Sequence, residues 1–403
     1  MKKSLSVADS AKRADIEALF ERGTVVEILP SKEYFIDACI SGKKLKIYFG
    51  ADPTGSALHI GHAKNIMFLE ELRKLGHEVI LLFGDFTARI GDPTGKGTTR
   101  RQLTSEEVDK NVKDWLRQVE PLLDFKDKVN PAKVVYNSTW LEKLTFAQVI
   151  DIASNFTVQQ MLERDMFSKR LKEGTPIHLH EFMYPLMQGY DSVVMDVDAE
   201  LCGTDQTFNA LAGRTLMKRL KDKEKLVIVL NLIANPKTGE LMSKSNGTGV
   251  FINATPNDLF GSIMALPDPM IEPLFLNCTR IPMTEKEALL ARGPREAKAR
   301  IAFDIVRRLH GEVLARGAEE AFTNTFAKKG VPDDVLEIKL DSAILVDALI
   351  KAGVVPSKTE WRRLVTDGAV RTEADEKITD PLWKPTSTTI LKIGKRRFVK
   401  VVV

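Results

Sequence analysis

The chain has 403 residues, of which 43% are hydrophobic, 28% charged and 7% aromatic, and this composition excludes a disordered or a fibrous protein. The length allows two or three domains with real cores. Three widely spaced cysteines exclude a disulfide framework and a cysteine-rich zinc module, and they fit a reducing cytosol. The N-terminus lacks the apolar run of a signal peptide, and no stretch approaches the roughly 20 apolar residues of a membrane span. We therefore expect a cytoplasmic protein.

The net charge of +4 is unevenly distributed along the chain. Residues 341–403 contain 12 basic and 8 acidic side chains, so the whole excess lies in this segment, and residues 381–403 contain no acid. A compact basic module at one end of the chain predicts a polyanionic partner, most simply a nucleic acid. The alternative is a solvated lysine-rich edge that binds nothing.

The first clear elements form a βαβ unit. A strand is predicted at 46–50, and from Ile60 onwards apolar residues recur at helical spacing until Gly76, which predicts the end of the helix. The apolar run 77–85 then predicts a strand that is buried on both faces, as in a parallel sheet. Right-handed crossover is the rule for such a unit.

Further strands are predicted at 134–138 and 226–231, with helical stretches between them. This order predicts a doubly wound α/β sheet of the Rossmann type, whose ligand binds at the carboxyl ends of the strands. We assign residues 1–245 to this domain.

The remainder of the chain has a different pattern. Residues 246–330 are rich in helix formers and predict a helical domain, and residues 331–340 read as a linker. Residues 341–403 predict two short helices, the second of them basic, followed by a β-hairpin.

The sequence His59-Ile60-Gly61-His62 lies at the start of the first predicted helix. The N-terminus of a helix offers free backbone N–H groups and a positive dipole end, and two imidazoles can donate hydrogen bonds to phosphate oxygens. Gly61 lets a base or ribose approach the backbone. The alternative is a metal site, but no third ligand stands at the usual spacing.

A second motif, Leu241-Met242-Ser243-Lys244-Ser245, follows about 180 residues later in a loop rich in small residues. Such a loop can close on an anion, and Lys244 can neutralise the charge that develops on a departing pyrophosphate. Taken alone, a Ser-Lys-Ser loop is usually only a surface loop. Paired with the first motif on a Rossmann pattern, it is a strong signal.

The two motifs together resemble the class I aminoacyl-tRNA synthetases. Segments 48–54, 90–95, 184–191 and 203–206 narrow the resemblance to the bacterial tyrosyl-tRNA synthetases, over nearly the whole chain. There are two departures from the family pattern. Leu241 replaces the first lysine of the usual KMSKS motif, which leaves phosphate binding in this loop to Lys244. Glu200 stands where many family members have glutamine.

The resemblance implies two reactions: L-tyrosine and ATP form tyrosyl-adenylate and pyrophosphate, and the tyrosyl group then passes to the 3′ end of tRNA(Tyr). Asp191 and Tyr48 would hydrogen-bond the hydroxyl of the substrate. Phenylalanine would leave both groups buried without partners, so no editing domain is needed, and none is visible. The α-ammonium would be held by Asp92, Tyr184 and Gln188, with Thr87 and Gln206 nearby. Tyr184, Gln188 and Asp191 are spaced to line one face of a helix.

For ATP, the resemblance places the phosphates between three catalytic residues, His59, His62 and Lys244. The other expected ATP contacts are Gly50, Gly61, Gly203, Asp205, Met242, Ser243 and Ser245. Lys96 and Arg100 are weaker candidates for a phosphate clamp. The carboxylate of tyrosine attacks the α-phosphorus, so catalysis needs positioning and electrostatics rather than a side-chain nucleophile. Mg²⁺ is expected to be carried by ATP rather than held in a protein cage.

Residues 341–403 resemble an S4-type RNA-binding domain. The expected tRNA contacts are Arg362, Arg363, Lys395, Arg396 and Arg397. The resemblance also implies a homodimer, formed through an insertion at about 110–185 within the catalytic domain.

Two rival functions remain open at this stage. A tryptophanyl-tRNA synthetase would share the fold but lack the Asp191 and Tyr48 pair. A non-catalytic RNA-binding paralogue would have no reason to keep both motifs.

Overall fold

The computed structural model describes residues 7–92, 103–242, 249–324, 335–340, 344–372, 376–385, 387–394 and 397–402. The chain divides into two compact units, Met1–Ala315 and Arg316–Val403. In the described ranges the helices are α1 Val7–Ala18, α2 Lys32–Ile40, α3 Ile60–Lys74, α4 Thr87–Ile90, α5 Ser105–Val119, α6 Ser138–Leu141, α7 Phe146–Ala153, α8 Val158–Leu162, α9 Asp165–Lys172, α10 Leu179–Met195, α11 Thr207–Lys221, α12 Pro256–Met264, α13 Ile271–Cys278, α14 Lys286–Ala291, α15 Pro294–His310, α16 Glu312–Phe322, α17 Leu345–Lys351 and α18 Lys358–Thr366. The strands are β1 Val25–Leu29, β2 Lys46–Ala51, β3 Glu78–Phe83, β4 Lys133–Tyr136, β5 Ala199–Gly203, β6 Leu226–Leu230, β7 Leu336–Lys339, β8 Val370–Thr372, β9 Thr389–Ile393 and β10 Arg397–Val402.

The first unit is built on a six-stranded sheet with the order β1-β6-β5-β2-β3-β4. Strands β2 to β6 are parallel, which confirms the predicted α/β sheet. The predicted Rossmann-type parallel sheet is mixed, because β1 pairs antiparallel with β6 at the edge. Only Ile28 of β1 is buried, so this strand lacked the apolar run that marks the central ones.

Strand β5 was also missed by the sequence analysis. All five of its residues are buried, as expected for a central strand, but Glu200 interrupts the apolar pattern. In the sheet, Glu200 is the register partner of Tyr48 on β2. A carboxylate therefore lies in the interior of the sheet, beside a residue predicted to bind substrate.

Helices α10 and α11 cross closely on one face of the first unit. A β-carbon at Gly189 would lie 3.1 Å from the backbone of Ala212 and of Gly213, so glycine permits this approach. Asp191 and Ser192 of α10 are buried in the same region. The crossing thus brings polar residues of α10 to the centre of the fold.

The segment predicted as a helical domain, 246–330, contains helices α12 to α16, of which α12 to α15 lie within the first unit. None of the helices in the described part of the chain is alone long and apolar enough to cross a membrane. One bent pair, α12 with Asp268–Cys278, meets the length and composition criteria at an angle of 112°. Its apolar residues, such as Phe260 and Phe275, are buried in the core.

The second unit contains a four-stranded sheet with the order β7-β10-β9-β8. The predicted helices and hairpin are present as α17, α18 and the antiparallel pair β9–β10. The prediction of a linker at 331–340 needs correction, because Leu336–Lys339 forms β7 and pairs parallel with β10. This strand is short and mostly exposed, so its sequence carries little apolar signal.

Candidate active site

A cavity of about 380 Å³ opens at the carboxyl ends of the parallel strands. Its wall is formed by the ends of β2, β3, β5 and β6 and by the loops that follow them. The cavity spans the junction of β2 with β5, where the order of the strands reverses, which is the usual ligand position in open α/β sheets. The sequence predicted a site at this edge.

The cavity collects every predicted substrate residue that lies in the described ranges. These residues are Tyr48, Gly50, His59, Gly61, His62, Thr87, Asp92, Tyr184, Gln188, Asp191, Gly203, Asp205, Gln206 and Met242. Ser243, Lys244 and Ser245 lie outside the described residues, as do Lys96 and Arg100.

Asp191 and Tyr48 line the buried floor of the cavity, with only 2% and 0% of their surfaces exposed. The carboxylate of Asp191 accepts hydrogen bonds from Trp140 Nε1 at 2.8 Å and from Asn137 Nδ2 at 3.3 Å. The hydroxyl of Tyr48 bonds Ser192 Oγ at 3.0 Å. Burial raises the pKa of Asp191 and the pKa of Tyr48 well above their usual values, so the phenol remains protonated.

Sequence reasoning missed Trp140, Asn137 and Ser192. Asn137 carried a weak signal, since it follows the apolar run of β4 at the carboxyl edge of the sheet. Trp140 and Ser192 carried none, because their roles depend on the packing of α6 and α10 around one carboxylate and one phenol.

A second group of polar side chains surrounds Asp52, which the sequence analysis did not select. Its carboxylate accepts from Tyr184 Oη at 2.8 Å and from Thr87 Oγ1 at 2.7 Å. A β-carbon at Gly84 would overlap both Asp52 and Thr87, so glycine is required there. Because Tyr184 donates its hydroxyl proton to Asp52, its oxygen can accept a hydrogen bond from a ligand.

Asp92 and Gln188 complete the polar wall of the cavity. Asp92 accepts from Gln206 Nε2 at 2.7 Å and from the guanidinium of Arg164 at 3.5 Å. Gln188 donates its amide N–H to Glu200 Oε1 at 2.8 Å, so Gln188 is one hydrogen-bond partner of Glu200. The carboxylate of Asp92 and the amide oxygen of Gln188 are acceptors suited to an ammonium group.

His59 and His62 are fixed by the start of α3. His59 caps the helix and accepts from the Gly61 N–H at 3.1 Å through Nδ1, while His62 Nδ1 accepts from the His59 N–H at 3.4 Å. Burial lowers the pKa of His62 to about 3 and also lowers the pKa of His59. Both rings are therefore neutral near pH 7 and carry their proton on Nε2, which is a hydrogen-bond donor.

Glycines shape the side of the cavity that lies between the start of α3 and the end of β5. A β-carbon at Gly61 would lie 2.8 Å from His59 Cε1, so glycine makes room for the capping imidazole. A β-carbon at Gly203 would lie 2.6 Å from Asp205 Oδ1. Burial raises the pKa of Asp205.

The predicted tRNA contacts of the second unit differ in their surroundings. Arg362 and Arg363 are both exposed, and Arg363 also forms ion pairs with Glu360 at 2.7 Å and with Asp367 at 3.3 Å. Arg397 donates to the carbonyl oxygen of Val354 and so also serves its own fold. Lys395 and Arg396 lie outside the described residues.

Comparison with known proteins identifies the family of the chain. Residues 41–327 match the family described as tRNA synthetases class I (W and Y), and the chain belongs to this family.

Within that family, the chain is similar to proteins named tyrosine–tRNA ligase. It is 42% identical to the one from Carboxydothermus hydrogenoformans, over 95% of this chain and 97% of the relative. Identity to the one from Thermotoga maritima is 40%, over 94% and 95% of the two chains.

Solved tyrosyl-tRNA synthetases share the fold. A C-terminally truncated mitochondrial enzyme of Coccidioides posadasii superposes with a TM-score of 0.63 at 24% identity, over 78% of this chain and 95% of that one. The Archaeoglobus fulgidus enzyme complexed with L-tyrosine superposes with a TM-score of 0.60 at 19% identity, over 77% and 99%.

The neutrality of His62 can be tested by ¹⁵N NMR of histidine-labelled protein. Because the pKa of His62 is lowered to about 3, its ring should stay neutral, with the proton on Nε2, from pH 8 down to pH 5. The variant His62→Gln assigns the resonance. A His62 ring that gains a second proton near pH 6.5, as a solvated imidazole does, would contradict this assignment.

Proposed function

We propose that the chain is a tyrosine–tRNA ligase, which activates L-tyrosine with ATP and transfers the tyrosyl group to the 3′ end of tRNA(Tyr). The observation that carries this proposal is the pair of buried polar groups, Asp191 and Tyr48, at the floor of the cavity. A carboxylate and a phenol that are shielded from water have hydrogen-bonding capacity beyond their protein partners, which a polar ligand atom can satisfy. The para-hydroxyl of tyrosine supplies one.

Tyrosine enters the cavity with its ring towards the floor. Its hydroxyl donates to Asp191 and accepts from Tyr48. Its α-ammonium donates to Asp92, to the hydroxyl oxygen of Tyr184 and to the amide oxygen of Gln188. Thr87 and Gln206 act through their contacts with Asp52 and Asp92. These contacts support the binding mode because a hydrogen bond to a neighbouring side chain already orients each of these groups.

ATP occupies the side of the cavity that is formed by the start of α3 and the end of β5. The Nε2–H groups of His59 and His62 donate to the phosphates, and the positive charge of Lys244 neutralises them. Gly203 and Asp205 hold the ribose, and the adenine lies against Gly50, Gly61 and the Met242 backbone. The flanking serines, Ser243 and Ser245, complete the set of ATP contacts.

The chemical step needs no nucleophile from the protein. The carboxylate oxygen of tyrosine attacks the α-phosphorus, the bond to the β-phosphate oxygen breaks, and pyrophosphate leaves. The enzyme positions both substrates and stabilises the charge that moves to the pyrophosphate.

Mg²⁺ accompanies ATP as part of the substrate. In the described residues, no cluster of three or more His, Cys, Asp or Glu could hold a metal ion.

The cavity favours tyrosine over phenylalanine and over tryptophan. Phenylalanine would leave Asp191 and Tyr48 without the ligand hydroxyl that completes their hydrogen bonding at the floor, and rejection of phenylalanine by tyrosyl-tRNA synthetases is a standard example of this effect. Tryptophan, the other substrate of the matched family, has a larger ring system with its polar N–H on the five-membered ring rather than at the para position.

We further propose that the second unit binds the tRNA outside its acceptor end, as an S4-like domain does. The excess positive charge of residues 341–403 supports this role, as does the exposed side chain of Arg362. Lys395 and Arg396, which lie between β9 and β10 in the sequence, add to this positive charge. Arg363 and Arg397 contribute charge while they also stabilise their own unit.

The enzyme is proposed to act as a homodimer in the cytoplasm. Large apolar side chains of the insertion at about 110–185 are exposed, including Phe146 and Leu179 at 80% and Val158 at 65%. An apolar groove of about 400 Å³ lies beside α7 and α10. A second copy would bury these surfaces.

A sedimentation mass of one chain, 45.0 kDa, at micromolar concentration would contradict the dimer.

The amino-acid specificity can be tested by ATP–pyrophosphate exchange with tyrosine, phenylalanine and tryptophan. Because two buried groups lose their partner with phenylalanine, kcat/KM for tyrosine should exceed that for phenylalanine by at least about a hundredfold. A reaction without amino acid provides the background. Equal exchange with phenylalanine would contradict the assignment of the cavity floor.

The role of the second unit can be tested by removing residues 325–403. The cavity lies in the first unit, so tyrosine-dependent exchange should remain within about twofold of the intact chain. Transfer to tRNA should fall at least about tenfold, because the basic unit no longer contacts the phosphates. The intact chain, assayed at rising salt, is the control for electrostatic binding. Full charging by the shortened chain would show that the second unit is dispensable.

A further inference from the structure

A lysine lies buried beneath the tyrosine site. Lys225 precedes β6, and none of its side chain is exposed. Its ammonium forms an ion pair with Glu200 and donates to Ser192 Oγ at 2.9 Å and to the Ala210 carbonyl oxygen at 3.2 Å. All three of its N–H donors are therefore used, and the same ammonium lies 5.8 Å from the centre of the Tyr48 ring.

The fold keeps space open for this lysine. A β-carbon at Gly213 would overlap the Lys225 ammonium and would lie 2.9 Å from Ser192 Oγ. A buried ion pair seldom stabilises a fold more than apolar residues of the same volume would, because both charges lose their hydration. Stability alone is therefore a weak reason for the pair, whose position beside the ligand site offers a better one.

Two hydrogen-bonded branches run from this ion pair to the tyrosine site. In the first, Glu200 accepts the amide N–H of Gln188 at 2.8 Å. This contact turns the amide nitrogen towards Glu200 and leaves the amide oxygen for the α-ammonium of tyrosine. In the second, Ser192 Oγ connects the ammonium with the hydroxyl of Tyr48 at 3.0 Å.

The second branch has a defined direction. An ammonium has no acceptor, so Ser192 Oγ must accept from Lys225. The hydroxyl proton of Ser192 then points to the oxygen of Tyr48, the acceptor that the structure places within reach. The hydroxyl of Tyr48 also hydrogen-bonds the Glu200 carboxylate, which is the competing acceptor for its proton. Because Lys225 and Gln188 already donate to both oxygens of Glu200, the Tyr48 proton is directed to the ligand. Asp191, which already accepts from Trp140 and Asn137, takes the ligand proton.

We propose that Lys225 is a specificity-determining positioning residue, which, through Ser192 and Glu200, holds Tyr48 as the donor to the para-oxygen and Gln188 as an acceptor for the α-ammonium. This proposal rests on the tyrosine–tRNA ligase activity described above. It predicts that the selectivity for tyrosine over phenylalanine depends on a residue that the substrate does not touch.

The test compares kcat/KM for tyrosine and phenylalanine, with the KM for ATP, in ATP–pyrophosphate exchange. Lys225→Met alone leaves the Glu200 carboxylate buried without a counter-charge and can unfold the chain. The informative variants are therefore Ser192→Ala and the double variant Lys225→Met with Glu200→Gln, in which the new amide oxygen still accepts from Gln188. The matched control is Lys223→Met, which removes a lysine two residues away that pairs with Asp196 and Asp198.

Both informative variants should lower the preference for tyrosine by roughly ten- to a hundredfold, mainly through a higher KM for tyrosine, with the KM for ATP within about twofold. Combining them should cause no further loss, because both interrupt one chain of hydrogen bonds. Lys223→Met should keep the wild-type preference.

An unchanged preference in the folded double variant would overturn the proposal. Losses that simply add in the combined variant would also overturn it, because they would mean that Lys225 and Ser192 act separately. These outcomes differ from failure of the proposed function, in which the wild-type chain itself would show no exchange that depends on tyrosine.

Discussion

The floor of the cavity holds a carboxylate and a phenol out of contact with water, and the rest of the active site is organised around that constraint. A buried ionisable group is costly unless its hydrogen-bonding capacity is satisfied. The protein satisfies part of it with Trp140, Asn137 and Ser192. In the proposed binding mode, a tyrosine hydroxyl satisfies the remainder. The same constraint explains the proposed selectivity, because a ligand without that hydroxyl leaves part of the hydrogen-bonding capacity of both buried groups unsatisfied.

The sheet explains how residues so distant in sequence reach one small cavity. Tyr48 and Glu200 are direct neighbours on adjacent parallel strands, while Asp191 and Ser192 come from a helix that crosses close to α11. The same edge carries the histidine pair at the start of α3. In the proposed binding mode, both substrates therefore meet at this edge of the sheet, where the carboxylate of the amino acid reaches the nucleotide.

Sequence reasoning predicted the parts of this arrangement that carry a local signal. The apolar runs of β3 and β6 and the motif at 59–62 are examples. It missed β5, because Glu200 breaks the apolar run, and β7, because that strand is short and exposed. Lys225 is the last residue of the charged run 221–225. Such a run is typical of a solvated surface, yet the side chain of Lys225 is fully buried. Its position depends on space beside Gly213, and sequence pattern does not reveal such space.

The most direct measurement is a crystal structure of the protein with bound L-tyrosine. The account predicts that the para-oxygen lies within about 3.2 Å of both the Asp191 carboxylate and the Tyr48 hydroxyl, with the α-ammonium near Asp92 and Gln188. A tyrosine bound with its hydroxyl towards the mouth of the cavity, or with Asp191 bonded only to Trp140 and Asn137, would contradict it.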